Sequence, residues 1–128
     1  MMLDSSAIVA VVCREDCYRE LTRKIGQAAS VAVCAATVFE TALVLNTKLK
    51  RDGLSLVNEF LGEAGAIVTP FGDEHVSAAF AAHLRYGKGR HRAALNFGDC
   101  LSYAAAKLSG EKLLFVGDDF RKTDITPA

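Results

Sequence analysis

Four short apolar runs, Met1–Asp4, Val31–Cys34, Ala66–Thr69 and Leu113–Val116, alternate with stretches whose apolar residues recur at helical spacing. This alternation limits the possible folds more than any other feature. Short apolar runs without polar alternation suit strands buried on both faces, and the long stretches between them suit crossover helices rather than hairpins. The pattern predicts an α/β protein, a three-layer α/β/α sandwich around a central, mostly parallel sheet. The 128 residues make a single domain, 1–128, with no internal repeat or linker.

The helical stretches follow from the stripes. Ser5 and Ser6 read as helix-start residues, with Ala7–Cys13 continuing as the first helix. Tyr18, Leu21, Ile25 and Ala28 mark a second, with Gly26 tolerated inside it. Thr37 opens a third, striped by Val38, Ala42, Leu45 and Leu49 and ending near Asp52-Gly53. A shorter helix holds Leu54, Val57, Phe60 and Leu61, and another holds Val76, Ala79, Phe80, His83 and Leu84. The last, from near Gly98, is striped by Leu101, Ala104, Ala105 and Leu108. His83, on an apolar stripe, reads as a core histidine.

Composition excludes several classes. Hydrophobic residues are 51% and charged residues 23%, which rules out disorder and fibrous repeats. Fifteen basic residues balance fifteen acidic ones, so overall charge does not make this a general nucleic-acid coat. The longest strongly apolar run, Ala7–Cys13, is too short to span a bilayer. With Asp4 so near the start, no secretory leader is expected, and the cytoplasm is the expected compartment. The cysteines Cys13, Cys17, Cys34 and Cys100 then read as reduced thiols, and Cys13-x-x-x-Cys17 lacks the spacing of a structural zinc site.

The acids carry the chemistry. In strand–helix–strand units, helices that follow strands begin at the carboxyl edge of the sheet, where ligands bind. Asp4 ends the first strand, Glu40 lies early in the helix after the second, and Asp118 and Asp119 end the last strand. The helix before that strand runs antiparallel to it, so Asp99 in its first turn also reaches this edge. The segment Tyr86–Leu95, read as a flexible basic loop, is long enough to bring the chain back there, about 30 Å if extended. Carboxylates about 4 Å apart repel by roughly 4 kcal/mol at an effective dielectric of 20, so such a set needs protons or a cation. All-oxygen ligation suits Mg2+ or Mn2+, which can activate a retained water and neutralise a phosphoryl group.

Each acid also has a purely structural reading. Thr37-Val38-Phe39-Glu40 fits a capping box, Asn96-Phe97-Gly98-Asp99 fits a helix start, and Gly117-Asp118-Asp119 fits a surface turn. These readings do not require the acids to share one rim. Ser6 either caps the first helix or orients Asp4. Tyr103, one turn after Asp99, is either a neighbour of the site or a packed core residue. Lys88, Arg90 and Arg92, with His91 among them, form either a solvated connector or phosphate contacts that position a polyanion.

Taken in order, these segments resemble the PIN-domain ribonucleases, specifically the VapC-type toxins of bacterial toxin–antitoxin systems. The matching pieces are Met2-Leu3-Asp4-Ser5-Ser6-Ala7, Thr37-Val38-Phe39-Glu40-Thr41-Ala42, Tyr86-Gly87-Lys88-Gly89-Arg90-His91, Leu95-Asn96-Phe97-Gly98-Asp99-Cys100 and Leu113 through Phe120. The resemblance implies a PIN-like sandwich and Mg2+- or Mn2+-dependent hydrolysis of RNA phosphodiesters, leaving a 5′-phosphate and a 3′-hydroxyl. It implies Asp4, Glu40 and Asp99 as metal-centred catalytic acids, with Ser6 in support and Asp118 or Asp119 as the fourth acid. It also implies a homodimer neutralised by a VapB-type antitoxin. Two other classes stay open on sequence. A haloacid-dehalogenase-like phosphatase also ends its first strand in Asp, although Asp4-Ser5-Ser6 lacks that family's second aspartate. In a non-catalytic binding module the acids would serve only as caps.

Overall fold

In a computed structural model describing all of Met1–Ala128, each apolar run supplies a strand of one sheet. The strands are β1 (Met2–Leu3), β2 (Ala32–Cys34), β3 (Ile67–Thr69) and β4 (Leu113–Leu114). Their order is β3-β2-β1-β4, every pair parallel. The helices are α1 (Ser5–Val12), α2 (Tyr18–Gln27), α3 (Ala35–Leu49), α4 (Gly53–Ala64), α5 (Asp73–Tyr86) and α6 (Phe97–Ser109). A 3₁₀ turn, Phe120–Lys122, follows β4.

Two cores sandwich the sheet because neighbouring strand residues point to opposite faces. Leu3, Val33 and Leu114 face a core with Ile8, Leu21, Leu45, Val57 and Phe60 from α1 to α4. Met2, Cys34 and Leu113 face the other, with Ala82, Tyr86, Tyr103 and Phe120. Burial of each large side chain contributes about 1.5–3 kcal/mol. The expected sandwich is thus the observed one. All four cysteines are free thiols, and no helix is long and apolar enough to cross a membrane.

Several local expectations are corrected. α1 is capped by Asp4 rather than by a serine, its carboxylate accepting the Ser6 backbone N–H. β2 runs straight into α3, with Cys34 at the cap and Thr37 already the third helical residue, so the Thr37–Glu40 capping box does not form. α3 closes on Lys50 in the left-handed region (φ 53°), not on Gly53. Asp52 starts α4 instead, accepting from the Leu54 and Ser55 N–H groups. Gly53 is needed there because a β-carbon would overlap the Ala42 carbonyl of α3. β4 is shorter than expected, since the Val116 N–H turns out of the ladder to donate to Ser6 Oγ at 3.0 Å. His83 is exposed, not a core residue.

The basic segment is not an extended connector. Leu95 N–H donates to Tyr86 O and Lys88 N–H to Leu95 O, both at 3.0 Å, closing residues 87–95 into a turn. His91 Nδ1 accepts the Ala93 N–H, and its ring packs edge-on against Tyr86 at 5.2 Å. α6 therefore begins beside the end of α5, and the turn holds Lys88, Arg90 and Arg92 on the surface.

Candidate active site

Asp4 is fixed from both sides of the backbone. Its N–H donates to Leu114 O at 3.0 Å, holding it at the end of β1 beside β4. Its Oδ2 accepts from the Ser6 N–H and the Ser6 hydroxyl, and the same hydroxyl oxygen accepts from Val116 N–H. Ser6 therefore ties Asp4 to the segment leading to Asp118 and Asp119. Asp4 is 3% exposed, and its Oδ1 has no hydrogen-bond partner.

Glu40, on the second turn of α3, also buries an oxygen without a partner, Oε2. Its carboxyl lies against Gly98 of α6, where a β-carbon would overlap it. Burial pushes its pKa up, with repulsion from Asp4 and Asp99 adding to the effect. Asp99 sits at the third position of α6. Its Oδ2 accepts the Asn96 N–H while Asn96 Oδ1 accepts the Asp99 N–H, at 2.8 and 2.9 Å. The structural reading of Asn96–Asp99 as a helix start thus holds, yet the acid is not accounted for by it. Burial first, with repulsion from Asp4 and Asp119 adding to it, lifts Asp99 to about 6 despite that hydrogen bond.

The two late acids separate. Asp119 is near enough to raise Asp99 electrostatically. The Asp118 side chain is 79% exposed and faces Arg121 at 3.6 Å. Asp119 has only a long contact, 3.9 Å, with Lys122. Asp4, Glu40, Asp99 and Asp119, from four segments, thus share one electrostatic neighbourhood, while Asp118 points to solvent. No three side chains are preassembled as a metal cage. The donor set nevertheless fits a hard divalent cation: all-oxygen, mutually repelling, and including two buried carboxylate oxygens with nothing to bond.

Tyr103 is a core residue, not part of the site. It is buried, and its hydroxyl donates to Asp124 at 2.7 Å. Asp124 is held down to about 2 by Lys107 first and by that hydroxyl. Sequence reasoning missed the part played by Gly98. Its signal was a glycine where alanine favours a helix, directly before an acid. It also missed a buried hydroxyl pair, Thr37 and Ser102, beneath the acids.

The chain matches the PIN domain family over residues 1–125. VapC ribonuclease Mb2004c of Mycobacterium bovis is 43% identical over 126 residues, covering 98% of this chain and 91% of that protein. Mycobacterium tuberculosis VapC20, described as a sarcin–ricin loop cleaving toxin, has a similar fold at 14% identity. Its TM-score is 0.81 over 99% of this chain and 97% of that one. A chain of a toxin–antitoxin complex from Klebsiella pneumoniae aligns at a TM-score of 0.72 and 14% identity, covering 99% and 97%. With sequence and fold matching from end to end, this chain belongs to the PIN-domain family, among the VapC ribonucleases.

Proposed function

We propose that this protein is an endoribonuclease toxin that hydrolyses RNA phosphodiester bonds with Mg2+ or Mn2+ held by Asp4, Glu40, Asp99 and Asp119. The observation that carries the assignment of these acids is the pair of orphaned buried oxygens, Asp4 Oδ1 and Glu40 Oε2, facing a repulsive set that a divalent cation would neutralise. When bound, the cation supplies charge neutralisation, activation of water and stabilisation of the reacting phosphate.

The chain's own groups do the rest. Ser6 holds Asp4 in one rotamer and couples it to the segment after β4. Asn96 fixes Asp99 from its backbone, leaving Oδ1 free of that contact. Lys88, Arg90 and Arg92, displayed on a closed turn, position the RNA phosphates without reading sequence. Asp118 is left outside the catalytic set. Products with a 5′-phosphate and a 3′-hydroxyl are expected.

The proposal extends to partners and place. A VapB-type antitoxin neutralises the toxin in the cytoplasm. The functional form is a homodimer: Val76, Phe80 and Leu84 on α5, Phe39, Leu43 and Val44 on α3, and Phe97 on α6 are all exposed. Several of them border an apolar cleft of about 740 Å³ between α5 and α6. So much exposed apolar surface suits an interface with a second copy. The phosphatase reading loses its footing, since the residue two positions after Asp4 is the serine that orients it. The test is incubation of a cellular RNA pool with the protein and Mn2+, with and without chelator. Chelator-sensitive cleavage is expected, and intact RNA would contradict it.

A further inference from the structure

The buried polar residues of this protein are few and grouped: Asp4, Thr37, Thr41 and Ser102. Thr37 and Ser102 are fully buried, with their hydroxyl oxygens 3.3 Å apart. Thr41 Oγ1 donates to Thr37 O at 2.6 Å. Thr37 and Glu40 are the third and sixth residues of α3, and Asp99 and Ser102 are the third and sixth of α6. Residues three apart share a helix face. The two helices therefore meet on two rungs, Glu40 against Gly98 and Thr37 against Ser102. Thr37 does not cap its helix, and neither hydroxyl hydrogen-bonds to an acid at the rim. Valine and alanine at the two positions would nearly match the native residues in shape and remove the cost of burying both hydroxyls.

We infer that the Thr37–Ser102 pair is a positioning clasp, fixing the register of α3 on α6 and thereby the separation of the Glu40 and Asp99 carboxylates. Neither residue is a catalytic residue. The inference rests on the proposal that those acids hold a divalent cation, and it names what sets their spacing. A directional bond does this better than apolar contact, which tolerates sliding.

The test is Mn2+ binding to the full chain, read by water-proton relaxation, with the metal-free melting temperature measured alongside. Wild type, Thr37→Val, Thr37→Ser, Ser102→Ala and the double variant Thr37→Val/Ser102→Ala are compared. Thr37→Val and Ser102→Ala are expected to bind Mn2+ about tenfold more weakly, the usual effect of outer-shell changes. Each single deletion leaves the partner hydroxyl buried and unpaired, so its metal-free melting temperature should fall. The double variant should melt at or above wild type yet bind Mn2+ as weakly, and Thr37→Ser should keep wild-type affinity. Wild-type affinity in both single variants overturns the clasp, as does a double variant whose affinity returns to wild type together with its melting temperature. If Thr37→Val fails to fold, Ser102→Ala removes the same bond and decides. Wild type that binds no Mn2+ overturns the metal reading itself, before any variant is compared.

Discussion

The carboxyl group of Glu40 occupies the space that a side chain at Gly98 would fill, one residue before Asp99. Two acids from distant segments are thus brought together by the absence of a single methyl group. On helix propensity alone, Gly98→Ala would stabilise α6 by about 1 kcal/mol. Here the methyl would displace a half-buried carboxyl, and overpacking costs about 1–3 kcal/mol. We expect Gly98→Ala to lower stability in urea unfolding. RNA cleavage should fall about a hundredfold, as displacement of a reacting group by an ångström can do.

Asp99 gives a pH signature. Burial first, then Asp4 and Asp119, lifts it to about 6, whereas an unfolded aspartate titrates near about 3.9. Between those values the folded chain keeps a proton that the unfolded chain has released. The contribution of Asp99 to metal-free stability is therefore unfavourable above about pH 6 and is relieved as pH falls. The stability of wild type relative to Asp99→Asn is expected to rise as pH is lowered from about 7 to about 4.5. A difference that does not change with pH would contradict the assignment. Because the same proton competes with a cation, Mn2+ affinity should fall over that range.

Asp119 and Asp118 should behave differently. Asp119 raises Asp99 through its charge, while Asp118 faces Arg121 in solvent. Asp119→Asn is expected to weaken Mn2+ binding about tenfold or more. Asp118→Asn should leave it within about twofold, since an exposed pair of this kind contributes at most about 1 kcal/mol. Parallel metal titrations check both.

The exposed apolar side chains of α5 should control assembly. Phe80 is 62% exposed and borders the cleft between α5 and α6. In sedimentation velocity, wild type is expected to run as a dimer and Phe80→Asp as a monomer with an unchanged melting profile. A monomeric wild type would remove the homodimer from the proposal.

The sheet was legible because strands buried on both faces leave an unmistakable apolar run, and Met2 and Leu3 fall into opposite cores as that requires. Asp4, Glu40 and Asp99 were legible because parallel topology sends strand ends and following helix starts to one edge. Local capping was less so. The Thr37–Glu40 spacing matched a capping box, but β2 passes into α3 without a loop, so the helix starts at Ala35 and the threonine is buried. Asp52-Gly53 read as a helix end because glycine favours the left-handed region, yet Lys50 takes that conformation and Gly53 serves a close helix–helix approach. The choice between Asp118 and Asp119 depended on which way a turn faces, which adjacent identical residues cannot reveal. The basic turn is closed by backbone hydrogen bonds, which leave no mark in residue type.

Metal-dependent cleavage by this set of acids is tested most directly by RNA cleavage with Asp4→Asn, compared with wild type in Mn2+ at matched melting temperature, with the cut ends mapped. Asp4 supplies a buried, unpartnered oxygen that only a cation or a proton would satisfy. Wild type is expected to give chelator-sensitive 5′-phosphate ends, and the variant to lose them by at least about a thousandfold. Cleavage by Asp4→Asn at the wild-type rate, or wild-type cleavage indifferent to chelator, would contradict metal-dependent cleavage by these acids.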